Sequence, residues 1–451
     1  MALRKGSRGE DGAPKRELTL FDSVSLIVGI IVGAGIYETS PLVASSVGSA
    51  GAVWAIWLVG GLLALAGALC YAELATTYPD EGGDYVYLRR AYGPWAGFLF
   101  GWSQLVIVRP ADIALMAFVF ARYAQSFHTL GSQGLRIYAT LAIVVLTLVN
   151  ILGVRQGKWT QNLLTVAKII GLVSVVVIGL LAPISSQAAQ PGKVTLPGVE
   201  LALILVLFTF GGWNEMAYVA AEVRDPSRNI VRALVIGTAS VTALYLLING
   251  AFLHALGFAG LAGSSAVAVD TVAKVLPGLA GRVVAVLICI SALGAVNGLT
   301  FSGARISYAL GQGHAAFGRF GRWHGRLGTP AWALAFQGIV SVAIALAAGS
   351  FYDTILYTAP IFWLFFLATS ISVFVLRSRE PDRPRSYRVS GFPWTTLLFC
   401  GSCAFMLYSC IGYAWHQKPM ALAVLGGALV AGGLTFVLTE RPGGSNQAPH
   451  G

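Results

Sequence analysis

Long apolar runs joined by short polar connections occupy almost the whole chain, and their length limits what they can be. A helix that crosses a bilayer needs roughly 20 mostly apolar residues. Windows of that kind lie at 21–47, 53–77, 94–126, 136–153, 160–182, 200–221, 233–257, 280–300, 330–349, 354–377, 394–415 and 420–438. The pattern predicts an all-α integral membrane protein of about 12 transmembrane helices. The connections leave no stretch long enough for a separate soluble domain. The expected organisation is a cytoplasmic tail over 1–17, one transmembrane domain over 18–440 and a second cytoplasmic tail over 441–451.

Two windows are interrupted. "VGIIVGAGIYETSP" (28–41) places Gly33-Ala34-Gly35 inside the first span, with Glu38 about one turn further on. "LFTFGGWNEMAYVAAE" (207–222) places Gly211-Gly212 inside the sixth, followed by Trp213, Asn214 and Glu215. In hydrocarbon every backbone N–H and C=O needs a partner, so a weakened helix is tolerated only where the freed groups face protein, water or a ligand. A single small-residue cluster would read as close helix packing. Two breaks, in the first and sixth spans, fall at corresponding places if spans 1–5 and 6–10 are inverted repeats with discontinuous helices at the midplane. Half-helix N-termini suit a carboxylate and half-helix C-termini suit an ammonium. An α-amino acid carries both.

Composition agrees with the membrane reading: 56% of residues are hydrophobic, 11% are charged, and the mean hydropathy is +0.73. The net charge of +11 reports topology rather than nucleic-acid binding. With the N-terminus inside, Arg and Lys collect on the inner side, from Arg4, Lys5 and Arg8 through Arg155 and Lys158 to Arg383, Arg385 and Arg388. The outer side holds Arg136, Lys193, Lys274, Arg282 and Lys418. This is the positive-inside asymmetry, and it places both termini in the cytoplasm. Residues 1–17 lack the apolar core of a secretory signal and read as a disordered tail. Cys70, Cys289, Cys400, Cys403 and Cys410 all lie in apolar segments and read as packing residues. Cys400 and Cys403 have a pair's spacing but no second pair and no nearby His or acid, so no metal site is expected.

Four stretches together resemble the amino acid/polyamine/organocation superfamily, and within it the L-type amino acid transporter branch. They are "GAGIY" in the first span, "YAELATTYPDEGGDYVYLRRAYGPWAGFLFGW" (71–102) with "IVRPADIALMAFVFARY" (107–123), "FTFGGWNEMAYVAAEVRDPSRNI" (208–230), and "NGLTFSGARISYALGQGH" (297–314). The resemblance implies a ten-helix inverted-repeat core plus two further helices, with substrate held between the first and sixth spans. It implies that the amides of Gly33, Ala34 and Gly35, with Ile36 beside them, bind the carboxylate. The carbonyls of Phe208, Thr209 and Gly211, next to Gly212, would face the ammonium. Phe208 matches the family's aromatic gate, and Trp213 and Asn214 complete its "GGWN". Taken alone, Phe208, Phe210 and Trp213 read as core or lipid-facing aromatics.

Lys168, in "NLLTVAKIIGLVSVVVIGLL", is an ionisable group inside an apolar span and a functional candidate for that reason. The competing reading is snorkelling to the nearby end of the span. The resemblance matches Lys168 to a lysine whose ammonium stands in for the cation of sodium-coupled relatives, which implies sodium-independent transport. Glu38 departs from the branch, where an apolar residue leads directly into Ser or Thr and Pro. With Glu215 it raises two carboxylates near the breaks, candidates for cation recognition or proton coupling or, equally, for a solvated structural role. Arg109 and Asp112, three residues apart, are expected to neutralise one another. Glu73, Asp80, Glu81 and Asp84 with Arg89 and Arg90 are expected to form a mixed-charge inner loop, pairing with "EVRDPSRNIVR" to set an inner gate.

No Walker motif is present, so ATP drive within this chain is not expected. The spans show no ring of charges or filter-like repeat, which argues against an ion channel. The expected function is sodium-independent amino acid transport by alternating access, without covalent chemistry or cofactor. Exchange is the reading favoured by the branch and Lys168. Proton symport, raised by Glu38 and Glu215, is the alternative, and a non-transporting amino acid sensor is a third. Relatives in the branch join a glycoprotein through a cysteine between the third and fourth spans. Here "SFHTLGSQGLR" has none, so no disulfide-linked partner is expected. Short loops and compact tails suggest a bacterial inner membrane.

Overall fold

The structure, a computed structural model, describes residues 14–185, 195–347, 351–417 and 419–439; the expected tails at 1–13 and 441–451 lie outside the described residues. Helices account for every apolar window. In chain order they are α1 (Leu20–Ile31), α2 (Gly35–Val47), α3 (Ala50–Thr77), α4 (Asp84–Tyr92), α5 (Pro94–Ser103), α6 (Arg109–Ala124), α7 (Gly134–Leu152), α8 (Val154–Leu181) and α9 (Leu196–Thr209). They continue with α10 (Glu215–Tyr218), α11 (Pro226–Gly263), α12 (Val267–Ala273), α13 (Ala280–Gly313), α14 (Ala331–Ala347), α15 (Phe351–Arg379), α16 (Trp394–Gln417) and α17 (Pro419–Thr439). Among the described residues, nine helical segments are long and apolar enough to cross a membrane by themselves, and α1 with α2 makes a further span bent by 51°. The two shorter apolar helices α9 and α14 supply the remaining windows.

Local sequence explains the ends of these helices. Thr19 and Asp22 form a capping box at α1, with Asp22 N–H donating to Thr19 Oγ1 at 3.2 Å and Thr19 N–H to Asp22 Oδ2 at 2.8 Å. Ser49 caps α3 and Thr195 caps α9 in the same manner. The third window is one continuous run carrying a π turn at Gln104–Val108, which the apolar pattern does not reveal. Pro110 lacks the N–H an α-helix would require there, and Arg109 N–H bonds Gln104 O five residues back. The following turn carries Arg109 into the core, where it is 1% exposed.

Around the breaks, α1 packs on α8, α11 and α13, while α2 packs on α9 and α11. The late helices α16 and α17 lie at the edge, against α15, α3 and α5. Large apolar side chains such as Leu148, Trp159, Leu163 and Ile170 are exposed on the outer surface, as lipid-facing positions should be.

Candidate functional site

The two interruptions lie against each other. A Cβ on Gly212, whose φ is +118°, would stand 2.7 Å from Ile30 Cγ2, and a Cβ on Gly35 would stand 3.4 Å from Thr209 Cγ2. Thr209 Oγ1 donates to Thr39 Oγ1 at 3.0 Å, joining the second half of the first span to the first half of the sixth. Tyr245 of α11 ties both helix ends: its hydroxyl donates to Ile31 O at 2.9 Å and lies 3.5 Å from Thr209 O. Ser291 of α13 donates to Val32 O at 2.9 Å. Neither Tyr245 nor Ser291 was singled out from sequence. The available signal was a hydroxyl in an apolar span, which must find a polar partner.

Of the three amides expected at the first break, that of Gly33 is engaged within the chain. The Gly33 N–H is already bonded to Ile31 O at 2.8 Å, and the first backbone bond of α2 runs from Tyr37 N–H to Ala34 O at 3.1 Å. The amides between them, those of Ala34, Gly35 and Ile36, are the N-terminal donors that a helix leaves open. At the second break, Phe208 O accepts the Gly211 N–H at 3.1 Å and Gly212 O accepts the Glu215 N–H at 3.2 Å, and each carbonyl oxygen keeps a second lone pair. Phe208 is 46% exposed. Gly35, Glu38 and Gly211 are also exposed, while Thr209 is buried.

Trp213 and Asn214 face the scaffold instead of the breaks. The Trp213 indole is 3% exposed and packs edge-on against Tyr71 and Phe399 with centroids 5.0 and 5.6 Å away. Asn214 Nδ2 donates to Tyr218 Oη at 2.9 Å. Glu215 is likewise engaged, with partners on two other helices. Arg109 Nη1 reaches both of its oxygens at 2.9 and 3.0 Å, and Ser302 Oγ donates to it as well. Arg109 therefore pairs across helices, not with Asp112 along its own.

Lys168 does not snorkel. It is 2% exposed, and its Nζ donates to Gly29 O at 2.6 Å, two residues before the end of α1. Gly294 leaves room for it, since a Cβ there would lie 3.3 Å from Nζ. Glu38 has no ion pair or hydrogen-bond partner among the described residues and lies close enough to Tyr123 of α6 to interact electrostatically.

On the side where α1 begins and α10 ends, polar contacts seal the bundle. Arg305 clasps Glu222 at 2.6 and 3.1 Å with both side chains fully buried. Leu18 N–H donates to Glu222 O at 2.8 Å, and Arg224 N–H donates to Leu18 O at 2.9 Å. Lys158 holds Asp22 at 3.2 Å. Glu73 pairs with Arg377 and Arg385, not with Arg89 or Arg90, because α15 and the loop after it cover the end of α3. Beside the Arg305 clasp, burial and the neighbouring Glu222 push the Glu81 carboxyl up to about 8. Burial also pushes Asp84 up to about 6, against the hydrogen bonds of Thr369 and Tyr71. Among the described residues no group of three or more His, Cys, Asp or Glu is placed to hold a metal.

A family model described as amino acid permease matches residues 18–430, which is nearly the whole chain. The chain belongs to the amino acid permease family. Curated relatives match over most of their length. The permease is 32% identical to the human b(0,+)-type amino acid transporter 1 over 382 residues, covering 82% of this chain and 78% of that one. It is 33% identical to the human large neutral amino acids transporter small subunit 2 over 454 aligned positions, covering 97% and 81%. The mouse form of the latter is 34% identical over 453, covering 97% and 82%. The resemblance to the superfamily read from sequence, the all-α membrane fold and the amino acid transporter class all agree with these matches.

Proposed function

We propose that the permease moves amino acids by sodium-independent exchange, through alternating access about the paired breaks, with no covalent chemistry. The observation that carries this reading is the juxtaposition of open amides at Ala34, Gly35 and Ile36 with the carbonyl ends of α1 and α9, held together by Tyr245. The amides suit the substrate's carboxylate. The carbonyl ends suit its ammonium. Lys168 occupies Gly29 O, an oxygen that a sodium ion beside the break would use, and its fixed charge repels such an ion. Phe208 closes over the bound substrate. Gly212 shapes the second break, which Trp213 and Asn214 anchor to the scaffold, and Gly33 allows the turn of the first.

The buried Arg305–Glu222 clasp and the Leu18–Arg224 backbone contacts support assigning this structure to a state closed on the basic side. The distribution of Arg and Lys supports placing that basic side, with both termini, in the cytoplasm. The names of the relatives include "small subunit", which makes those proteins parts of an assembly. For this chain we propose no disulfide-linked partner, since 126–136 has no cysteine, and a covalent heterodimer on a non-reducing gel would overturn that. Short loops support a bacterial inner membrane, although the relatives above are mammalian.

Proton symport is a second reading, favoured by Glu38, an exposed carboxylate without a partner about one turn beyond the open amides. Uptake into proteoliposomes separates the two. Exchange predicts labelled amino acid entering only vesicles preloaded with amino acid, unchanged by sodium, with a loss of at least about tenfold in Lys168→Met, which deletes a charged hydrogen bond. Accumulation in empty vesicles driven by a pH gradient, and lost in Glu38→Gln, would establish symport instead.

A further inference from the structure

A cavity of about 260 Å³ opens on the basic face, remote from the paired breaks. Its walls are the segment before α1 (Lys15, Glu17), the corner between α7 and α8 (Leu152, Arg155) and the loop before α14 (Trp323, Arg326). Three cations and one carboxylate leave it net positive, and none of Lys15, Arg155 or Arg326 has an ion pair among the described residues. The cavity's amides add to that charge, because α8 is a 28-residue helix starting at Val154 and its N-terminal donors face the same corner. The walls are fastened to one another: Thr329 Oγ1 donates to Ile151 O at 3.2 Å, and Lys158 Nζ donates to Glu17 O at 2.9 Å.

A second observation says what kind of anion fits. From the cavity mouth, where Leu152 is exposed, the face of α8 carries Trp159 (62% exposed), Leu163 (70%), Val166 and Ile170 (62%), spaced three or four residues apart. That spacing forms a continuous apolar lane running into the membrane. A soluble anion would use the cations but not the lane. We propose that this cavity binds the headgroup of an anionic phospholipid, with its acyl chains laid along the lane. The headgroup bridges the segment before α1 to the two loops, and so favours the state in which Leu18 and Glu222 are joined.

Native mass spectrometry of the full-length protein in detergent tests this, with phosphatidylglycerol or phosphatidylcholine added. Phosphatidylglycerol is expected to bind in preference. Its apparent affinity should fall roughly thirtyfold in Arg155→Gln/Arg326→Gln, from the usual contribution of two cations at an anionic surface. The single change Arg326→Gln, in an exposed loop and harmless to folding, should give roughly a fivefold loss. The matched control Arg388→Gln, on another loop of this face, should give none. Equal retention of phosphatidylglycerol by wild type and variants would overturn the proposal, as would an equal loss in Arg388→Gln. Displacement of the lipid by millimolar inorganic phosphate would also overturn it, and would assign the cavity to a free anion.

Discussion

Arg109→Met tests whether Glu215 serves as a structural partner of Arg109. Both side chains are almost fully buried, at 1% and 3% exposure, and Arg109 Nη1 lies 2.9 and 3.0 Å from the two carboxylate oxygens. Removing the guanidinium strands a carboxylate that keeps only Ser302 as a partner and has Asp112 nearby. Breaking a buried pair from one side costs about 3–5 kcal/mol, whereas replacing both charges by apolar groups of similar size is often neutral. Arg109→Met should therefore destabilise by about 3–5 kcal/mol, and Arg109→Met/Glu215→Met should recover most of the loss, giving a coupling energy of about 3 kcal/mol or more. The assay is SDS-titrated unfolding of the purified protein in mixed micelles, run as a double-mutant cycle. Additive effects, with a coupling near zero, would refute the structural role. So would a Glu215→Gln variant of unchanged stability that loses uptake driven by a proton gradient.

Two further outcomes follow from named contacts. Tyr245→Phe removes the hydroxyl that bridges Ile31 O and Thr209 O, while Ile31 O keeps the Gly33 N–H, so stability should fall by about 0.5–1.5 kcal/mol; uptake should fall several-fold, and unchanged uptake would mean the two breaks do not need this tie. Glu81 sits outside the spans, with its carboxyl raised from the ordinary range to about 8. The folded state therefore holds its proton more tightly than the unfolded chain, so stability falls as pH rises between about 5 and 8 and levels off above that. Melting of wild type against Glu81→Gln across this range should show the slope reduced in the variant, and parallel curves would count against it.

Several features were legible in the chain because they are set by local composition. All the spans could be read, since a bilayer admits only segments long and apolar enough to satisfy their own backbone. Both breaks could be located, because Gly33 to Gly35 and Gly211-Gly212 weaken helices that have no water to repair them. The π turn could not, because Gln104–Val108 is as apolar as its surroundings and only the ladder around Pro110 shows the extra residue. That turn helps aim Arg109, and the error over its partner began there.

The sequence by itself determined a twelve-window membrane bundle, two discontinuous helices and Lys168 as an ionisable group in an apolar span, because each depends on hydropathy and backbone chemistry within one segment. Tertiary structure alone decided which charges meet: Arg109 with Glu215, Arg305 with Glu222, and Lys168 with Gly29 O. It also left the amides of Ala34, Gly35 and Ile36 open and turned Trp213 into the scaffold. Pairing between residues 83 to 139 positions apart depends on which helix faces lie together. That is fixed by packing across the bundle and leaves no trace in the spacing of either partner.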